Sequence, residues 1–598
     1  MAPVIACFAL LAVPLAVRPG AALPANDPGP FYPLRVGHTG ERYDDALPAG
    51  ADYVLRRGRL PAGLRVARDG RVSGVPREAG AFALELSATE PSGLRHPVRV
   101  ALTVYRGDES DWPRTKPSFR APGPLSVRSE DLLLDVVSGF DGSTVTTRVR
   151  LVLPDAAGGP WPLLLFHRGR GFDEDSYRRL HEHIASYGIA VASIEDRLSF
   201  SGDSFRATND RYDLWRAELG MESASSVVEA VSDSLLDRSA APGDPLWGLF
   251  SADALFFAGH SRGGGAVHAS HQRSWELRLR GLIYLMPFDL RYFADVRPPA
   301  RPPAYSIFAE HPRTPSLVIA AENDGDLTYP IADQLIDRAT GPMTQVTIYG
   351  AVHNLISDAH AAEGRARISR RSEQSQVADW IVCFVRRWAD LDTSLDWRLY
   401  GGGHQGDPLA AVTSWRPSQR TLVLEDAQDG DVDHNLLGRN LVAGLRRREL
   451  SSYPPVGDMG SLGLRHVFLT PTRDVSAWRL ETGGPLDASR HVRLVLRLSQ
   501  TGDYGWSGLA LWARLIDAAG ESSWYRIHDP VSGGLLPAWD GRSPHDRMLD
   551  VHLPLEDFFP ASGSSGADRT RLAAVDLFLL RRDSGRVRSV VADDLRFE

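Results

Sequence analysis

A mostly parallel sheet with helices on both faces, set between two all-β sandwich domains, is the fold class the sequence predicts, and three observations predict it. In the middle of the chain, short apolar runs such as Trp161-Pro162-Leu163-Leu164-Leu165-Phe166 and Ala254-Leu255-Phe256-Phe257-Ala258 each open onto a glycine-bearing loop, as strands buried on both faces do. Residues 31–106 instead alternate apolar and polar positions between tight turns, and residues 418–598 read as strands throughout. At 598 residues the chain is too long for one core, and its length predicts about three or four domains.

Residues 1–22 read as a signal peptide. The apolar run from Met1 to Val17 is followed by Arg18-Pro19-Gly20-Ala21-Ala22, small residues that suit cleavage near Ala22, although a basic n-region is missing. The run is too short for a membrane span, and no other segment is long enough for one. Val4-Ile5-Ala6-Cys7 superficially resembles a lipoprotein box, but the apolar stretch continues past the cysteine. Export is therefore expected over lipid anchoring, with a secreted, cell-surface or periplasmic location.

In residues 31–106, Asp69-Gly70 between short strands is a hairpin signal, and Phe82-Ala83-Leu84-Glu85-Leu86-Ser87-Ala88 alternates with one buried face. This stretch resembles the bacterial Ig-like, cadherin-like modules of extracellular proteins, which implies a spacer or attachment sandwich. Residues 107–124, charged and then proline-rich, are expected to be a linker.

The catalytic segment is placed at residues 125–398. The run Ala254–Ala258 leads into Gly259-His260-Ser261-Arg262-Gly263-Gly264 and then Gly265-Ala266-Val267, a strand breaking at Gly-x-Ser-x-Gly before small, helix-compatible residues. Such an elbow lifts a serine Oγ above the sheet, and its glycines remove Cβ atoms that would clash. Ser261 is the candidate nucleophile. Pro315-Ser316-Leu317-Val318-Ile319-Ala320-Ala321 opens onto Glu322-Asn323-Asp324-Gly325-Asp326, which makes Asp324 the first candidate acid and Asp326 the alternative. Gln345-Val346-Thr347-Ile348-Tyr349 ends in Gly350-Ala351-Val352-His353, and His353 is the candidate base, able to take the serine proton on one nitrogen while a carboxylate holds the other. After Phe166, the loop His167-Arg168-Gly169-Arg170-Gly171-Phe172 resembles the His-Gly loop that supplies the second oxyanion donor in α/β-hydrolases, with Arg168 intervening between the histidine and the glycine. Gly169 and Arg170 together are the candidates there, beside the N–H of Arg262.

Residues 125–398 resemble the α/β-hydrolase superfamily, and Gly-His-Ser-Arg-Gly-Gly is similar to the elbow of chlorophyllase-like and dienelactone-hydrolase-like esterases and of bacterial polyester hydrolases. That resemblance implies a carboxylic-ester hydrolase with Ser261 as nucleophile, Asp324 as acid, His353 as base and the Arg262 amide as oxyanion donor. It departs from the pattern at Ala321, where the acid loop often has glycine.

Gly401-Gly402-Gly403 through Pro417 marks a second expected linker, 399–417. Residues 418–598 resemble galactose-binding-like jelly rolls, which serve as carbohydrate-binding modules or as spacers; Val590–Phe597 is similar to their closing strand. Tyr504, Trp506, Trp524, Tyr525 and Trp539 are either sugar-stacking faces or core aromatics. Glu425, Asp426, Asp429, Asp431 and Asp433 read as a solvated acidic loop in preference to a calcium site, because the spacing lacks the rest of an EF-hand loop.

The net charge of −8 without long basic runs gives no nucleic-acid footprint. Lys116 is the only lysine, so the positive charge is almost all arginine. Once the leader is removed only Cys383 is left, in an apolar helical pattern, and it reads as a buried structural thiol. The sequence thus predicts an exported serine esterase that needs no metal or organic cofactor. Two appended β modules suit an ester carried on a polymer, either a polyester or a cell-surface polysaccharide. A peptidase or amidase of the same fold, and a surface binding or adhesion protein with an inactive hydrolase domain, stay open.

Overall fold

The computed structural model describes residues 29–106, 117–139, 142–195, 214–270, 278–287, 313–326, 335–336, 339–362, 366–402, 407, 409–425, 433–443, 445–450, 466–500, 509–529, 533–534, 549–581 and 590–598. Nine strands of the middle segment form one sheet: β1 (Val127–Val137), β2 (Thr144–Pro154), β3 (Trp161–His167), β4 (Ala190–Glu195), β5 (Phe250–His260), β6 (Gly281–Leu285), β7 (Ser316–Ala321), β8 (Met343–Ile348) and β9 (Ala410–Trp415). They lie in the order β1-β2-β4-β3-β5-β6-β7-β8-β9. Pairing is parallel from β4 through β3, β5, β6 and β7 to β8, and antiparallel for β1 with β2, β2 with β4, and β8 with β9. Parallel neighbours need crossovers. Helices α1 (Arg178–Ala185), α2 (Leu214–Ala240) and α3 (Arg262–Ala269) lie in the connections that follow β3, β4 and β5, while α4 (Arg370–Ala389) and α5 (Asp396–Tyr400) lie between β8 and β9.

Alternation along each strand separates two cores. Leu164, Phe166, Phe256, Ala258, Ile283 and Leu285 face α1 and α4, while Leu163, Leu165, Leu255, Phe257, Leu282 and Tyr284 face α2 and α3. Full burial of each aliphatic or aromatic side chain contributes about 1.5–3 kcal/mol. Both faces of these central strands are therefore apolar, which is why they read as unbroken apolar runs. On α4, Cys383 is a buried free thiol, and burial pushes it up to about 12.

The expected fold class, an α/β-hydrolase core between two β-sandwiches, is corrected. The protein is mostly β, with 46% strand, 18% helix and five helices among the described residues, arranged around several large mixed and antiparallel sheets. The physical reason is the pairing. The antiparallel neighbours at both ends of the nine-stranded sheet need no helical crossover, the sheet takes its ninth strand from the stretch read as a linker, and among the described residues the flanking modules add strands and two short 3-10 turns, Leu555–Asp557 and Arg569–Arg571, but no α-helix.

In the N-terminal module a five-stranded sheet is built around Gly80–Thr89 and Arg95–Tyr105, beside a three-stranded sheet of Tyr43–Ala46, Leu64–Val66 and Arg71–Gly74. The turn before Arg71 needs Gly70 at φ +84°, and a Cβ there would lie 2.8 Å from the Tyr53 ring. In the C-terminal module, six- and seven-stranded sheets share a core that includes Trp478, Leu496, Leu511, Leu577 and Phe597.

The described parts of both expected linkers are tied into the structure. Asp379 of α4 accepts the Phe119 N–H at 2.6 Å, and Ser186 Oγ accepts that of Gly123 at 2.6 Å. Residues 399–417 hold the end of α5 and all of β9. Beyond β9, Val36 donates to the Pro417 carbonyl and Gln419 donates to that of Val36, both at 3.0 Å. The N-terminal module meets α4 and α5 through buried charge. Asp396 accepts from Arg387 Nε at 2.6 Å, pairs with Arg416 at 2.7 Å and accepts the Tyr105 hydroxyl. On the other side, Asp550 of the C-terminal module accepts the Ser414 N–H at 2.8 Å, and Arg596 donates to the Ser414 carbonyl at 3.0 Å.

No helix among the described residues is long and apolar enough to cross a membrane. The leader 1–22, Lys116, Tyr504, Trp506, Trp539, Asp426, Asp429 and Asp431 lie outside the described residues. Trp524 packs on Phe578 with ring centroids 5.0 Å apart, and Tyr525 packs on Phe558 at 5.2 Å, both half-buried. Glu425 is buried and accepts from Asn440 Nδ2 at 2.8 Å, while Asp433 is exposed.

Candidate active site

β5 ends at His260, α3 begins at Arg262, and Ser261 makes the turn between them at φ +54°, ψ −114°. A serine held at positive φ costs on the order of 1–3 kcal/mol and persists only where its surroundings enforce it. The backbone enforces it here: Ser261 donates to the Leu285 carbonyl at 2.9 Å and accepts from the Gly265 N–H at 3.2 Å. The glycines on either side are required by contact. A Cβ on Gly259 would sit 2.0 Å from the Gly263 carbonyl oxygen, and one on Gly263 would sit 2.2 Å from that of His167.

β7 delivers the acid. Past Ala321, Asn323 donates to the Ala351 carbonyl at 2.9 Å, which stitches the acid loop to the loop after β8. His353 Nδ1 donates to Asp324 Oδ2 at 2.8 Å, and Asp324 Oδ1 accepts the Asp326 N–H at 3.0 Å. The Asp326 carboxylate is 59% exposed and stands 3.9 Å from His353 Nε2, on the opposite side of the ring. Of the two carboxylates, Asp324 is thus the one hydrogen-bonded to the nitrogen that faces away from Nε2.

Two buried glutamates brace the histidine loop. Glu322 accepts the Gly350 N–H at 2.5 Å, and Glu373, in the first turn of α4, accepts the Val352 N–H at 3.1 Å. Neither has a role that the sequence predicts. Glu322 stands two residues before the candidate acid, at the same strand end, which was the available signal; nothing local marks Glu373, which arrives from α4.

The nucleophile side reaches the histidine through His260. Its Nε2 donates to the His353 carbonyl at 3.1 Å, and the two rings lie 4.8 Å apart. On the other side of the ring, Tyr177 Oη is 2.8 Å from His260 Nδ1 and accepts the Gly169 N–H at 3.1 Å. Burial, with the neighbouring His353 and His360, pushes His260 well below the usual imidazole range, so its ring is neutral. Burial likewise pushes the Tyr177 phenol well above its ordinary value. Nothing in the sequence around Tyr177 or His260 predicts a role for either side chain.

Among the expected oxyanion donors, Arg262 is buried at the first position of α3 and Arg170 is exposed in the loop after β3. The N–H of Gly169 is directed to Tyr177. Gly169 has a different part: a Cβ there would come within 2.9 Å of His260 Nδ1, so glycine lets the loop close over the elbow. The structure therefore sets Ser261, Arg262, Gly169, Arg170, Asp324, Asp326 and His353 in the segments that follow the C-terminal ends of β3, β5, β7 and β8, and it joins His353 to Asp324 directly and to the residue before Ser261 through its carbonyl. No group of histidine, cysteine or acidic side chains suited to a metal ion occurs among the described residues. No family model matches the chain, and no curated protein matches it.

Proposed function

We propose that the protein is an exported serine carboxylic-ester hydrolase acting on a polymer-linked or polyester-type ester. One observation carries the reading: a serine held at φ +54° on a strand-to-helix turn, whose neighbour bonds to the loop bearing a histidine–carboxylate pair closed to 2.8 Å. Backbone strain at a non-glycine residue is retained where it is used, and a histidine whose Nδ1–H is fixed by a carboxylate presents a basic Nε2.

In this mechanism His353 Nε2 takes the proton of Ser261 as Oγ attacks the ester carbonyl. The N–H of Arg262 holds the oxyanion, joined by that of Arg170, since the Gly169 N–H is already given to Tyr177. Each such donor is worth on the order of 3 kcal/mol in the transition state. The imidazolium returns its proton to the departing alcohol, leaving Ser261 acylated. Water, deprotonated by His353, then attacks the acyl carbonyl; as the bond to Ser261 Oγ breaks, His353 returns that proton to Oγ and the carboxylic acid is released. Asp324 keeps the ring in the required tautomer throughout and stabilises its cationic form. Export is supported by the apolar run in residues 1–22, and a polymeric target by the two flanking β modules.

The test exposes the intact protein and Ser261→Ala to a fluorophosphonate probe while following hydrolysis of p-nitrophenyl esters. Labelling and turnover are expected in the intact protein, with kcat falling by roughly 10⁵–10⁶ and labelling lost in the variant. Matched amides separate an esterase from a peptidase or amidase, and initial rates on polyester particles against small esters test the polymeric substrate. A folded intact protein that neither labels nor turns over would overturn the reading and favour a binding protein.

A further inference from the structure

The site contains a hydrogen-bond chain that the mechanism above does not use. It runs from the loop after β3, through the end of β5, to the loop after β8. A carbonyl oxygen only accepts, so the bond from His260 Nε2 to the His353 carbonyl, 3.1 Å, places the ring proton on Nε2. With the ring neutral, Nδ1 is then a bare acceptor, and the bond of 2.8 Å to Tyr177 Oη must be donated by tyrosine. The tyrosine oxygen in turn accepts the Gly169 N–H at 3.1 Å. With the ring neutral, each donor in the chain thus has its acceptor: Gly169 N–H to Tyr177, Tyr177 to His260, and His260 to His353.

The chain is sealed from water. Tyr177 and His260 have no exposed surface, and Phe172 covers them with ring centroids 5.4 Å and 5.3 Å away. In such surroundings hydrogen bonds are stronger and hold direction better than at a surface.

We propose that Tyr177 and His260 are positioning residues that lock the oxyanion loop to the base loop across the nucleophile. This rests on the hydrolase reading. The lock acts on both halves of the chemistry at once: it sets the loop that carries Arg170, and it fixes the carbonyl of the residue whose ring moves the proton. Neither residue touches the reacting atoms, and their effect is on placement, where a shift of about 1 Å can cost on the order of a hundredfold in rate.

The test uses the full-length protein and a p-nitrophenyl ester. Tyr177→Phe removes the hydroxyl alone and is expected to lower kcat by about 10–100-fold, with KM changed less than about twofold because the ester-binding surface is untouched. His260→Leu is expected to match it. His260→Gln keeps an acceptor and a donor on one side chain and is expected to recover most of the loss. The double variant Tyr177→Phe/His260→Leu is expected to be no worse than either single one, as for residues acting as a unit. A residue that only fills space would lower the melting temperature without a selective fall in kcat, and glutamine would give no rescue. If Tyr177→Phe does not fold, the comparison of His260→Leu with His260→Gln decides. An active, labelled wild-type protein whose variants keep kcat within twofold overturns the lock and leaves the hydrolase standing; a wild type that neither labels nor turns over overturns both.

Discussion

Asp324 and Asp326 are two residues apart and both near His353, yet their geometry assigns them unequal work. Asp324 accepts from Nδ1 at 2.8 Å, whereas the exposed Asp326 carboxylate lies 3.9 Å from Nε2, beyond hydrogen-bond reach. Asp324→Asn should lower kcat by roughly 10⁴, the cost of losing the correct tautomer in such a triad, while Asp326→Asn should change it by less than about threefold, as a screened surface charge. Steady-state kinetics on one ester checks both, and equal losses in the two variants would reverse the assignment. At this scale Ser261, Asp324 and His353 were legible, because each stands where an apolar run gives way to a polar or glycine-bearing loop. Tyr177 was not. Its partner His260 is 83 residues away, and a tyrosine among Asp175, Ser176 and Arg178 carries no local sign that its hydroxyl will be buried. Glu373 was hidden for the same reason.

At the scale of elements, the elbow is a place where β3, β5 and α3 meet without room for a side chain. Gly263→Ala would push a Cβ to 2.2 Å from the His167 carbonyl oxygen, which is backbone and cannot swing aside. The expected result is a loss of about 3 kcal/mol, at the upper end of overpacking, together with loss of fluorophosphonate labelling. Gly484→Ala faces open space and should stay within about 0.5 kcal/mol, like other unconstrained surface changes. Parallel melts of the two variants check this, and a Gly263→Ala protein as stable as Gly484→Ala would contradict the close packing. The inner strands were readable because burial on both faces makes them continuously apolar. β9 was not, since Ala410-Ala411-Val412-Thr413-Ser414-Trp415 is short, small and flanked by glycines and Pro417. Only its pairing with β8 makes it a strand. The fold class failed on the same ground: antiparallel edge pairing leaves no periodic signal that distinguishes it from a crossover.

Across the whole molecule, the modules are joined by buried ions where linkers were expected. Burial pushes the Asp396 carboxyl up, but Arg387 and Arg416, with hydrogen bonds from Arg387 and Tyr105, outweigh it and hold the group below its usual range. Its unfolded value is about 3.9. The stability it contributes is therefore fully present above that pH and is lost as pH falls through the lower, folded value. Asp396→Asn leaves two arginines buried without their carboxylate and should cost about 3–5 kcal/mol near neutral pH. Chemical denaturation at pH 7 and near pH 3 checks this: the gap between wild type and variant should narrow in acid, and a constant gap would remove the carboxylate from the account. Cutting the chain at either expected linker would expose these groups as well, so a truncated protein would report on instability before it reported on substrate choice.

The ion pair of Arg420 with Glu41 joins residues 379 positions apart, and Val36 is hydrogen-bonded to Pro417 and Gln419 beside it. During synthesis, the first module to emerge has to wait for about two-thirds of the chain before its docking face is complete. Contacts of such separation close late and fold slowly. A chain interrupted before Pro417 and Arg420 would therefore carry a first module with half of its seam missing.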